Sequence, residues 1–387
     1  MADVRGGGGR PDFGRSFGGP GKYIQRPGEL QRLAQHILPL GRKAFVLMDG
    51  FIFDRQGGAI ASLLQEAGLE VVVERFNGEC CSEEISRVQK LMAAQGAAVA
   101  VGVGGGKTAD TTKMAAIETG ARIVIVPTIA STDAPCSAIA VRYDNHGVYQ
   151  ESHFLPRNPD AVVVDSALIA KAPARFLVAG MGDALSTWFE ARSNLESNAS
   201  NLVSPNMPAA AAGIAIAKAC HAVLMRDALA AKQAVERGAL TPAVENIIEA
   251  NTLLSGLGFE NCGVSAAHGI HDGLTVLSET HGFFHGEKVA FGVMCLLVLE
   301  GRPHAEITAT ARFCRSLGLP TRLADLNLAG ASAADLERVA EAALKPGSAT
   351  WKVPVPISID VVRDAIIATD AITSQIPDRA EQEQTSC

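Results

Sequence analysis

The sequence has no C-x-x-C pair and no regular cysteine spacing, although it carries Cys80, Cys81, Cys136, Cys220, Cys262, Cys295, Cys314 and Cys387. Without that spacing no cysteine-based zinc or thiol-redox motif can be read, and a reduced, cytoplasmic chain is expected. It has no basic excess either: 34 Lys and Arg face 41 Asp and Glu, for a formal net charge of −7. A nucleic-acid partner wants a basic face and is excluded as the main one. No apolar run reaches the length of a membrane span, and the N-terminus does not read as a signal peptide, so no membrane association is expected. Charged residues are sparse at 19%, against 48% hydrophobic ones, which implies large interior or interface surfaces. At 387 residues the chain suits two domains.

The first half alternates β-branched runs with helical patterns. Strands are predicted at 44–50, 70–76, 97–104, 122–128 and 160–166, with helices around 57–67, 83–95 and 107–119. The near-continuous apolar character of those runs fits parallel strands buried on both faces. From about residue 170 the pattern turns helical: 182–197, 206–237, 241–256, 264–277, 285–300, 304–317, 332–345 and 358–374. The fold class is therefore α/β plus all-α, with a Rossmann-like, mostly parallel sheet domain at 21–170, a helical domain at 171–375 and a functional cleft between them. Residues 1–20, rich in glycine and arginine, and 376–387 are expected to be flexible tails.

The stretch AVAVGVGGGKTADTTKMAA, residues 98–116, fits neither G-x-G-x-x-G nor the full Walker A loop. A strand feeding Gly104, Gly105 and Gly106, with Lys107 opening a helix, still presents free backbone N–H groups and a helix dipole to an anion, a pyrophosphate above all. The competing reading is a tight turn needing glycine for sterics alone. Asp49, at the end of the first predicted strand, suits the hydroxyls of an adenosine ribose and so NAD over NADP, or else simply caps a helix. The loop PTIASTDAPCSAIAVRYD, 127–144, crowds Thr128, Ser131, Thr132, Asp133 and Ser137 where open α/β sheets bind ligands, or is an ordinary connection. In the second half AAHGIHDG sets His268 and His271 on one helix face, HGFFHGEK adds His281 and His285, and MGDALSTWFE carries Asp183 in an apolar setting. Imidazoles and a carboxylate from separate helices could hold one cation, or be satisfied polar groups.

Taken together, PGKYIQ, GGGKTADT, PTIASTDAPCSA, APARFLVAGMGDALSTWFEAR, HGIHDG and HGEKVAFG resemble bacterial glycerol dehydrogenases of the iron-containing/polyol alcohol dehydrogenase superfamily, over about residues 20–375. The resemblance implies NAD⁺-dependent oxidation of glycerol and related vicinal diols, with dihydroxyacetone as the glycerol product, at a divalent metal, usually Zn²⁺. It implies Asp183, His268 and His285 as ligands. Gly104, Gly105, Gly106, Lys107, Asp110, Asp49, Thr128 and Ser137 would line the cofactor groove, and Asp133 would bind a substrate hydroxyl. His271 stands beside the ligands as a proton relay or a packing residue. The iron-type pattern D-A-x-x-H is not met, since Thr187 stands four residues after Asp183, which favours a three-ligand zinc site. Asp272 and Gly282 replace residues common in the family. A homo-oligomer, often an octamer, is implied as well. A dehydroquinate-synthase-like NAD/zinc lyase and a glycerol-phosphate or other polyol dehydrogenase remain as alternatives. The phosphate-specific one would want basic residues in the cleft, and no cluster of them is visible near the metal motifs.

Overall fold

The computed structural model describes residues 14–204 and 206–377. Eight strands all fall in the first half: β1 (Tyr23–Arg26), β2 (Lys43–Met48), β3 (Glu70–Arg75), β4 (Val99–Gly104), β5 (Arg122–Pro127), β6 (Ile139–Tyr143), β7 (Tyr149–Phe154) and β8 (Ala161–Asp165). Six of them form a wholly parallel sheet in the order β1-β8-β5-β4-β2-β3, while β6 and β7 pair as a separate antiparallel hairpin. The intervening helices are α1 (Leu33–Ile37), α2 (Gly50–Glu66), α3 (Ser82–Gln95), α4 (Gly106–Thr119) and α5 (Ser166–Ile169). Alternate residues of β2 explain its apolar run: Phe45 and Leu47 join one buried cluster, Ala44, Val46 and Met48 the other. With both faces covered, polar alternation has no place.

The chain leaves β2 for β3 on one side and returns to place β4 on the other, so strand order reverses between β2 and β4. The crevice beyond the carboxyl ends of such a pair is the usual ligand site of open α/β sheets. Here it is bounded by Asp49 and by Gly104–Gly106.

The second half is helical: α6 (Ala174–Glu196), α7 (Ala211–Val235), α8 (Pro242–Glu249), α9 (Ser255–Cys262), α10 (Ala266–Leu274), α11 (His285–Leu299), α12 (His304–Leu317), α13 (Ala333–Ala343) and α14 (Ile359–Ser374). Helices α6 and α11 are buried over most of their length, and α11 is apolar nearly all round beyond its first turn. No helix among the described residues is long and apolar enough to cross a membrane. The cysteines from Cys80 to Cys314 are free and buried.

Several sequence expectations shift. β1 and the β6–β7 hairpin were not foreseen, and α2 begins at Gly50 rather than near 57. The helix expected at 241–256 continues to Cys262 through a π-helical segment, Ala250–Leu254. That wide turn aims Asn251 at the carbonyls of Ala130 and Leu177, 2.9 and 3.0 Å away, tying the 127–144 loop to α6. Within the stretch taken as an N-terminal tail, Gly18 exchanges two hydrogen bonds with the Asn261 side chain, so attachment begins before residue 20. Residues 1–13 and 378–387 of the expected tails lie outside the described residues.

Candidate active site

A cavity of about 1170 Å³ lies between the carboxyl edge of the sheet and the helices. Three side chains from three helices meet at its helical wall, with His268 and His285 lining the cavity and Asp183 fully buried beside them. Asp183 comes from α6, His268 from α10 and His285 from the first turn of α11, and one ligand atom of each lies within 4.8 Å of the others. Glycines permit this convergence. A Cβ on Gly182 would stand 2.3 Å from the Gly286 carbonyl oxygen, so α6 and α11 cross almost backbone to backbone.

The trio fits a cation. Asp183 is fully buried, and its Oδ1 has no hydrogen bond although His285 Nε2 and His268 Nε2 lie 3.2 and 3.5 Å away. Donor atoms that face one another without bonding suit a shared ion better than a polar network. Asp183 Oδ2 is occupied, accepting the Asp133 N–H at 3.1 Å. Burial alone would raise the Asp183 pKa, but the neighbouring His285 and His268 hold it well below the ordinary carboxylate range. Two imidazole nitrogens and one carboxylate oxygen suit zinc or iron, with coordination positions left for substrate.

Glu190, missed from the sequence, orients this set. It is buried on α6 seven residues after Asp183, and its carboxylate meets His268 Nδ1 at 2.7 Å while accepting the N–H groups of Ser265 and His268. With Nδ1 engaged as donor, Nε2 of His268 keeps its lone pair for a ligand. Its signal was the helical spacing D-x₆-E, which puts both carboxylates on the same side of α6. Thr187 bonds Ser255 at 2.8 Å instead of facing the trio, in keeping with three ligands.

Around the trio stand further ionisable groups. Burial first, then the Asp183 charge, pushes the Asp133 pKa well above the ordinary range, and Ser255 donates to its carboxyl at 2.7 Å. His271 packs edge-on against His285, with ring centroids 4.1 Å apart, and burial and adjacent cations keep it neutral far below the usual histidine pKa. Its neighbour Asp272, 3.0 Å from its Nδ1, is pushed up to about 7 by burial. His281 bonds the Thr275 carbonyl at 2.9 Å and stands outside the trio. Four lysines, Lys107, Lys288, Lys345 and Lys352, also line the cavity. In the sequence no basic cluster was visible near the metal motifs, although Lys288 stands three residues after His285; the fold gathers it with the other three.

Across the cavity, Gly105 is the uncapped N-cap of α4 and Gly106 its first residue; both line the space, as do Lys107, Asp110 and Ser137. Gly104 is needed for packing too, since a Cβ there would meet Thr108 Oγ1 at 2.6 Å. Sterics thus account for Gly104, while Gly105 and Gly106 are the two that face the cavity. Lys107 pairs with Glu79 and lies over the Tyr143 ring. Asp110 is tied down, with Lys113 2.8 Å from Oδ1 and the Val141 N–H donating to Oδ2. Ser137 donates to main-chain carbonyls of its own loop. Asp49 caps α2 through Ile52 N–H, and its other oxygen accepts from Thr128 Oγ1 at 3.3 Å; neither is part of the cavity lining.

A parallel sheet with a glycine loop at its switch point faces a two-histidine, one-aspartate cluster on a helical bundle, the arrangement of an enzyme that binds an anionic ligand and a metal ion in one cleft. The chain belongs to the iron-containing alcohol dehydrogenase family, whose profile matches residues 20–166. It is 46% identical to a glycerol dehydrogenase of Thermotoga maritima over 91% of this chain and 95% of that protein. A glycerol dehydrogenase of Pseudomonas putida is 42% identical over 92% of this chain and 98% of its own. The crystal structure of a probable glycerol dehydrogenase from Sinorhizobium meliloti 1021 superposes with a TM-score of 0.90 at 64% identity, covering 94% of this chain and 100% of that one.

Proposed function

We propose that this enzyme oxidises glycerol to dihydroxyacetone, and related vicinal diols likewise, with NAD⁺, at a zinc ion held by Asp183, His268 and His285. The observation that carries the reading is the unbonded Asp183 Oδ1 between the Nε2 atoms of His268 and His285, two residues that line the same cavity as Gly105 and Gly106. The relatives named glycerol dehydrogenase supply the substrate. When bound, the metal supplies Lewis acidity that lowers the pKa of a substrate hydroxyl, and NAD⁺ supplies the hydride acceptor.

The chain's own residues do the rest. Glu190 fixes the His268 ring. Asp133, held by Ser255, hydrogen-bonds a second hydroxyl, which makes a vicinal diol a better substrate than a simple alcohol. Neutral His271 packs against His285 at the cavity wall. The α4 N-terminus and Gly105–Gly106 seat the cofactor diphosphate, while Asp49, outside the cavity lining, serves as the α2 cap.

NADH formation from NAD⁺ and glycerol tests the proposal, with a simple monoalcohol for comparison. NADH from glycerol, and far less from the monoalcohol, is the expected result; none from any diol with zinc or iron present would overturn it. The four-lysine lining favours one second reading, a phosphorylated polyol. A higher kcat/KM for glycerol phosphate than for glycerol would select it.

A further inference from the structure

Lys288 lies in α11 one turn after His285 and lines the cavity at 7% exposure. Among the described residues its ammonium has neither hydrogen bond nor ion pair. The two carboxylates nearest in charge are engaged elsewhere: Glu287 by Arg175 at 2.6 and 2.8 Å and by the Phe284 N–H, Asp272 by His271. A buried ammonium without a partner is unfavourable, so the position is built for a group that arrives with a ligand.

The identity of that group follows from the opposite wall. Burial, then the like charge of Lys107, depresses the Lys288 pKa to about 8, while Asp272 and Glu287 pull the other way. Lys107, ion-paired with Glu79, opens α4 beside Gly105 and Gly106, so ammonium groups from both halves of the molecule line one cavity. An anion between them would be attracted by both.

We propose that Lys288 is a phosphate-binding residue supplied by the helical half, which grips the cofactor diphosphate across the cleft from the glycine loop and Lys107. This rests on the NAD reading above. The cofactor would then contact both walls of the cavity at once.

Calorimetric titration of the metal-loaded full chain tests it, with NAD⁺, ADP-ribose and adenosine as ligands and Lys288→Met and Lys288→Arg as variants. The methionine variant should bind NAD⁺ and ADP-ribose at least about tenfold more weakly, as loss of a charge-assisted hydrogen bond implies. Adenosine binding should not change, arginine should restore most of the loss, and the salt dependence of ADP-ribose affinity should flatten. Unchanged ADP-ribose affinity in Lys288→Met would overturn the proposal. Its combination with a raised glycerol KM, or with weaker glycerol-phosphate binding at saturating NAD⁺, would place Lys288 on the substrate instead. A wild-type protein that binds neither NAD⁺ nor ADP-ribose would refute the NAD reading itself.

Discussion

Gly182 and Gly286 lie so close that a Cβ on either would strike the backbone of the other helix, at 2.3 Å from the Gly286 oxygen or 1.8 Å from the Ala179 oxygen. Asp183 is therefore brought within 3.2 Å of His285 by the absence of two side chains. Gly182→Ala should separate α6 from α11, lower stability by about 1–3 kcal/mol as overpacking does, and weaken zinc binding. Thermal melting and zinc titration read both effects. Gly58→Ala is the control: it is exposed within α2 with nothing near its Cβ, and should stabilise by about 0.5–1 kcal/mol.

Glu190 acts through His268. Glu190→Gln keeps the size but loses the charge that orients the ring, and should weaken metal binding about 10–100-fold while the helices stay folded. Competition against a chromogenic chelator measures the affinity. A variant with wild-type zinc affinity would reduce Glu190 to packing.

Metal removal should be visible without turnover. A ligand bound only by the native state raises stability by mass action, so chelation should lower the melting temperature and zinc should restore it. In Asp183→Asn neither treatment should shift the melting curve by more than a fraction of the wild-type effect.

Lys288 should cost stability in the absence of cofactor. Its pKa falls to about 8 in the fold, whereas an unfolded lysine titrates near the ordinary 10.5. Between those values the unfolded chain holds the extra proton, so stability rises with pH across that window, and below about 8 the full penalty applies. That penalty is about 3 kcal/mol. Lys288→Met should thus melt higher than wild type at pH 7, and the gain should shrink toward pH 10 as the native lysine of the wild type loses its charge. Equal melting temperatures at both pH values would contradict a buried, unpaired ammonium.

The buried strands β2, β4, β5 and β8 were legible because an apolar run between turn residues has few other uses. The hairpin was not, for IAVRYDNHGVYQESHF is polar, half exposed and packed on no sheet. The candidate metal trio was only half legible: spacing offered four histidines and the resemblance chose two, and in the fold those two face Asp183 while His281 turns to a carbonyl and His271 packs edge-on against His285. Glu190 and Lys288 escaped notice because each looks like an ordinary helix-surface charge. Only the packing of α6, α10 and α11 shows that they face inward.

The most direct measurement is metal-dependent turnover. Protein stripped with a chelator is titrated with Zn²⁺ or Fe²⁺ while bound metal and NADH formed from glycerol are recorded together. The expected result is NADH formation rising in proportion to bound zinc and levelling at one ion per chain, with His268→Ala neither binding nor turning over. Full activity in metal-free protein, or in His268→Ala, would contradict the metal site on which the whole reading stands.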